Sequence, residues 1–242
     1  MWGECLGIHS PLKLEELMST EVVSKRDESV RLFRNPVLEY LSHVHPATPL
    51  VVFTPVIVLS LASSIDKLPW LTVAIAFWVG VVLWTFTEYS LHRWVFHYTP
   101  RSTWGRRLHF LVHGVHHAYP RDSTRLVMPL LVSLPLAAVF WSAFSSLFGA
   151  WSEGIFAGFL VGYVCYDTIH YATHHLPMQS RTGRFLRRYH MNHHFVDDHT
   201  AFGVSNPMWD VIFATTPQAA IPAKRPQSGG FPEVDSGAFD ES

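Results

Sequence analysis

Ten histidines fall in four clusters between His92 and His194: His92-x4-His97, His113-x2-His116-His117, His170-x3-His174 and His190-x2-His193-His194. A helix returns residues three or four apart to one face. Each His-x-x-His-His triplet, and the His170/His174 pair, is therefore expected to aim its imidazoles at a common point. Ten nitrogens are too many for one ion. Two ions at about four or five nitrogens each would suit octahedral or five-coordinate geometry with positions left for oxygen or water. Imidazole-rich pairs with open positions suit iron and O2 activation. A zinc hydrolase is the rival, but its His-Glu-x-x-His helix does not occur, nor does a nucleophile elbow, a Walker loop or a Gly-x-Gly-x-x-Gly fingerprint. His109 and His175 have ligand-like spacing, yet each stands beside a complete cluster, and His199 suits proton handling. His9, His43 and His45 read as surface or interfacial residues.

The elements that position these clusters are apolar. With 48% hydrophobic and 15% charged residues, the 242-residue chain has long blocks without any charge: Ala47–Ile65, Leu68–Thr87 and Leu126–Ser152. Gly154–Thr173 is apolar until Asp167 and His170. A membrane helix needs roughly 20 such residues, which predicts an all-α integral membrane protein with four transmembrane helices in two hairpins. The turns, Asp66-Lys67 and Trp151 to Gly154, are too short to support a domain. Of the 18 Lys and Arg, Lys67 alone lies on one side of these spans. Positive residues stay cytosolic, so both termini and every histidine are expected to face the cytosol, with a helical cap carrying a two-metal site at the membrane boundary. The arginines, including Arg106-Arg107 and Arg187-Arg188, suit headgroup contact or docking of an acidic partner.

Three parts follow: a cytosolic segment 1–46, a membrane-embedded region 47–217 and a disordered tail 218–242 rich in Pro, Gly and Ser. No cleavable signal peptide is apparent, and Cys5 and Cys165 fit a reducing face. Gly154, Gly158 and Gly162 share a helix face and are expected to pack within the monomer. Tyr163, Tyr166 and Asp167 precede His170 by seven, four and three residues and share its face. A carboxylate near hydrocarbon is costly unless it is paired or functional, so Asp167 is expected either to hold a ligand histidine or, with the tyrosines, to bind a substrate head.

The runs Glu88-Tyr-Ser-Leu-His-Arg-Trp-Val-Phe-His97, His109-Phe-Leu-Val-His-Gly-Val-His-His117, Arg125-Leu-Val-Met-Pro129, Gly162-Tyr-Val-Cys-Tyr-Asp-Thr-Ile-His-Tyr-Ala-Thr-His-His175 and Tyr189-His-Met-Asn-His-His-Phe195 resemble the fatty acid hydroxylase superfamily. Phe202-Gly-Val-Ser and Trp209-Asp-Val-Ile-Phe stand where that resemblance expects them. Within the superfamily the likeness is greatest to fatty acid 2-hydroxylases of sphingolipid synthesis. It implies an endoplasmic-reticulum enzyme hydroxylating C2 of a long acyl chain, free or N-linked in ceramide. It also implies two iron ions, with zinc able to take their place, held by His92, His97, His113, His116, His117, His170, His174, His190, His193 and His194. The remaining needs are O2 and electrons from NAD(P)H through a reductase and cytochrome b5. The chain shows no His-Pro-Gly-Gly haem motif, so cytochrome b5 is expected as a separate partner, alongside the lipid and the membrane and without nucleic acid. Leu130 and Ala201 depart from the family, which usually has proline and often glycine there. A sterol C4-methyl oxidase or desaturase, or a carotenoid hydroxylase, would share the histidine scheme. A metal transporter or sensor would instead place ligands midway along its spans.

Overall fold

The computed structural model describes residues 23, 24 and 26–217, which include no strand. The short helix α1, Pro36–Ser42, starts where the Asn35 side chain accepts the Val37 and Leu38 amides. Two long helices follow, α2 (Thr48–Lys67) and α3 (Trp70–Ser90), and α3 runs on without a break into a π-helical segment, Leu91–Phe96. Next, α4 (Thr103–His109) passes through a second π-helical segment, Phe110–Gly114, into α5 (Val115–Ala118). Then come α6 (Leu130–Phe148), α7 (Ser152–His175), α8 (Arg181–Phe195) and α9 (Met208–Ile212).

Among the described residues, three helical stretches are long and apolar enough to cross a membrane: Thr48–Lys67, Trp70–Phe96 and Leu130–His175. The third, of 46 residues, takes in two of the four spans expected from the sequence. It doubles back at Gly149, whose φ of 53° is a left-handed conformation open to glycine without a Cβ penalty. Beyond this turn Phe140 meets Phe159 with ring centroids 4.5 Å apart, and Trp141 meets Phe156 at 5.2 Å, so α6 and α7 lie against each other. At that same end Lys67 pairs with Glu153, tying the tip of α2 to the first turn of α7.

Helix α7 is the axis of the fold. It is buried along most of its length, with Phe53 of α2, Trp84 of α3 and Phe144 of α6 packed against it in one cluster. The glycines Gly154, Gly158 and Gly162 face α2 and α3, which makes them packing surfaces within the monomer. A Cβ added to Gly158 would lie 1.9 Å from the Phe77 carbonyl oxygen, and one on Gly80 would lie 1.9 Å from that of Ile155. Two helices thus cross backbone to backbone, and that crossing sets the height at which α7 delivers His170 and His174. The 218–242 tail, most of the 1–46 segment before α1, and Cys5 lie outside the described residues.

Candidate metal centre

The four histidine clusters meet where the long helices end. The ten imidazoles form two groups of five: His92, His97, His113, His117 and His193 in one, and His116, His170, His174, His190 and His194 in the other. Within each group the candidate ligand nitrogens all lie within 4.8 Å of one another. Sequence spacing pointed each triplet at one common target, and the structure corrects this. Neighbouring residues on a helix lie about 100° apart, so His116 and His117 cannot face the same point. The i, i+4 pair His113/His117 enters the first group and His116 the second; His190/His194 enters the second and His193 the first. Each triplet therefore joins both groups.

The π-helical segments explain the remaining spacing. His92 and His97 are five apart, too far for one face of an α-turn. The wider turn closes with the His97 amide on the His92 carbonyl at 3.2 Å, which brings both rings to one side. His113 stands in the second such segment.

Several Nε2 atoms stand unusually close. His97 to His113 is 3.1 Å, His113 to His117 3.0 Å, His116 to His170 3.0 Å, His174 to His190 2.9 Å and His190 to His194 3.1 Å. Ligands at about 2.1 Å and right angles around an ion would be separated by about 3.0 Å, whereas tetrahedral angles would give about 3.4 Å. The arrangement fits five- or six-coordination. His92 Nδ1–H donates to the Phe202 carbonyl at 2.6 Å and His193 Nδ1–H to the Thr200 carbonyl at 2.7 Å. This fixes the tautomer with a bare Nε2 lone pair, and in both rings that buried Nε2 lacks a partner. Lone pairs converging without donors fit a cation, so the residues present suit one metal ion in each group.

Burial and neighbouring imidazoles hold His113, His116, His117, His190 and His194 well below the ordinary histidine range, and push His97 down to about 3. All are neutral near pH 7, as ligation requires. The unfolded chain takes up these protons below roughly pH 6.5 while the folded chain does not. Stability of the metal-free protein is therefore expected to be complete above that pH and to fall as pH drops from about 6.5 towards 3. Thermal denaturation in detergent across that range checks it; a flat melting temperature would contradict it.

A model of the family described as fatty acid hydroxylase matches residues 77–215. The chain belongs to the fatty acid hydroxylase family. Among relatives of this family member is the dihydroceramide fatty acyl 2-hydroxylase of Arabidopsis thaliana, 35% identical over 215 residues, 87% of this chain and 89% of that one. The ceramide very long chain fatty acid hydroxylase of Saccharomyces cerevisiae is 39% identical over 169 residues, 68% of this chain and 44% of that one. A solved structure of full-length Scs7p, with only its hydroxylase domain visible, superposes with a TM-score of 0.78 at 33% identity. It covers 87% of this chain and 81% of that one.

Beside the histidine groups this hydroxylase-family fold forms a half-open cavity of about 530 Å³, lined mainly by apolar side chains and also by His113, His116 and His170. Tyr166 and Asp167 line it as well. Tyr163 does not, although the helical spacing placed all three together. It packs edge-on against Phe53 with centroids 5.1 Å apart and lines a separate pocket of about 20 Å³ with Ser133. Asp167 is 2% exposed, and its Oδ2 and the Nδ1 of His170 are both without hydrogen-bond partners, so Asp167 does not hold that ring directly. His109, His175, His199, His43 and His45 stand outside both groups.

Sequence reasoning noticed Arg125 only as part of a run. Its side chain is buried, reaches Glu39 at 2.7 Å and Asp122 at 3.5 Å, and also binds Ser42 and the Val30 carbonyl. Glu39 in turn accepts the Leu32 and Phe33 amides. This network fastens residues 30–42 across the cavity, where Leu32, Phe33, Leu38 and Leu41 form part of its lining. An arginine at the edge of the uncharged Leu126–Ser152 run, three residues after Asp122, was the available signal.

Proposed function

We propose that this chain inserts one oxygen atom at C2 of long-chain fatty acyl groups, free or N-linked in ceramide. The observation that carries the reading is that two five-imidazole groups open onto one apolar cavity through His113, His116 and His170. The ten clustered histidines would hold two iron ions, and zinc can occupy the same nitrogens by availability. When bound, the ions supply activation of O2. Electrons come from NAD(P)H through a reductase and a separate cytochrome b5. The protein sits in the endoplasmic-reticulum membrane with four crossings, α6 and α7 forming the second hairpin, and with both termini and the metal groups on the cytosolic face.

The protein's own part is placement and exclusion of water. The acyl chain lies along the cavity, with Leu111, Val112, Leu131 and Val132 against it and C2 beside His116 and His170. Tyr166 and Asp167 are the polar side chains nearest to hold the head, and Tyr163 acts behind them through packing. Strapping residues 30–42 over the cavity keeps bulk water from the oxidising centre.

Asp167→Asn is expected to raise the apparent KM for lipid about tenfold, equivalent to ~1.4 kcal/mol of binding, with metal content unchanged. Loss of metal instead would assign Asp167 to support of His170. The reaction itself is tested by lipid mass spectrometry on cells lacking their own sphingolipid hydroxylase. Expression should produce 2-hydroxyacyl ceramide or 2-hydroxy acid. Changed sterol intermediates or carotenoids, with no 2-hydroxy product, would keep the metal centre and overturn the substrate.

A further inference from the structure

Phe202-Gly-Val-Ser and Trp209-Asp-Val-Ile-Phe contain no candidate ligand, yet the structure sets them directly against one metal group. Residues 200–215 form a loop, closed by the short helix α9, whose Thr200 and Phe202 carbonyls accept the Nδ1–H groups of His193 and His92. The Phe202 ring also stands 5.5 to 5.7 Å from the rings of His92, His97 and His193. All three histidines belong to the first group. In the second group, the buried Nδ1 atoms of His170, His190 and His194 have no partner among the described residues.

The loop is held in this shape by two buried acids. Asp210 is 0% exposed and accepts the Phe202 amide at 2.9 Å, the Gly203 amide at 2.8 Å and the Thr215 hydroxyl at 2.8 Å. Since the Thr215 hydroxyl has one proton and gives it to Asp210, the Tyr89 hydroxyl 3.0 Å away donates to Thr215, and Arg93 donates to Tyr89 at 2.7 Å. Glu88 takes the Ser205 amide at 2.7 Å and the Ser205 hydroxyl. Between the two carbonyl-bearing residues, Ala201 is buried with φ at 57°, a left-handed conformation that a non-glycine residue keeps only when its surroundings impose it. That turn lets Thr200 and Phe202 present their carbonyls to two different histidines.

We propose that Asp210, assisted by Glu88, is a positioning residue for the first metal group alone: it shapes the 200–215 loop whose carbonyls orient His92 and His193. The two ions are then held unequally, one with two of its rings locked through protein carbonyls and the other with three of its rings lacking a partner on Nδ1. This rests on the two-ion reading above. Removing a partner that orients a ligand ring costs about 10- to 100-fold in metal affinity.

The test uses purified full-length protein in detergent, stripped of metal and titrated with Co(II), whose absorption reports each coordination environment. Wild type should bind two ions in two phases. Asp210→Asn sets an amide donor against a backbone N–H. It should weaken one phase by about 10- to 100-fold and leave the other phase and the helical circular dichroism unchanged. Equal weakening of both phases, or of neither, would overturn the assignment. If Asp210→Asn does not fold, Glu88→Gln and Thr215→Val remove single contacts of the same loop and should each shift that one phase by a smaller factor. Absence of any shift in both variants would also overturn it. A wild type binding fewer than two ions would sink the two-ion reading itself, and this assignment with it.

Discussion

Replacing His193 with alanine is expected to abolish turnover, a fall of at least about a thousandfold, while the protein still inserts and elutes as a folded species. His193 is 0% exposed, stands 4.5 Å centroid to centroid from His92 and 4.7 Å from His97, and is fixed through Thr200. Its loss opens the first group from five nitrogens to four and leaves the Thr200 carbonyl without its donor. The long helices do not depend on it, because its packing neighbours are other histidines and Phe202. Activity assayed beside circular dichroism separates the two effects. Turnover within tenfold of wild type would remove His193 from the centre.

The second large effect is on stability. Gly158→Ala adds one methyl group, yet that carbon would lie 1.9 Å from the Phe77 carbonyl oxygen, so α3 and α7 must separate. Overpacking costs about 1–3 kcal/mol where flexible side chains absorb it. Here the obstacle is backbone, and a loss of about 3 kcal/mol or more is expected, seen as a large fall in melting temperature. Activity should fall with it, because α3 leads directly into His92 and α7 carries His170 and His174. Cys165→Ala, on an exposed part of the same helix, is the control and should change neither. A Gly158→Ala protein with wild-type melting would contradict the close crossing.

How much of this was legible in the sequence follows from which forces are local. Runs of uncharged residues mark the long helices because hydrocarbon tolerates little else, and the glycine face of α7 is visible because its period is that of the helix. The identity of the ten clustered histidines was visible for the same reason. Their partition was not. Whether His116 joins His113 or His170 depends on how four elements converge, which no spacing along one chain encodes. The His92/His97 interval requires a π-helical turn, a rare local conformation that five-residue spacing hints at without specifying.

Glu88, Arg125 and Asp210 were harder still. Their side chains are buried beside apolar sequence, and two of them engage partners far along the chain: Ser205 for Glu88, and Glu39 and Ser42 for Arg125. Asp210 is close in sequence to its partners, but a left-handed Ala201 is needed to bring them to it. Tyr163 is a different case. Helical spacing puts it on the face of His170, but seven residues, about two turns, along α7 carry it out of the large cavity and into the aromatic packing around Phe53 and Trp84.

The most direct test of the whole account is oxygen-isotope labelling with the purified, iron-loaded protein, cytochrome b5, its reductase, NADPH and a long-chain ceramide under 18O2. The proposed reaction gives one 18O atom per product, located at C2 of the acyl chain by fragmentation mass spectrometry, and none with His193→Ala. Oxygen drawn from water, or hydroxylation at a carbon other than C2, would contradict it.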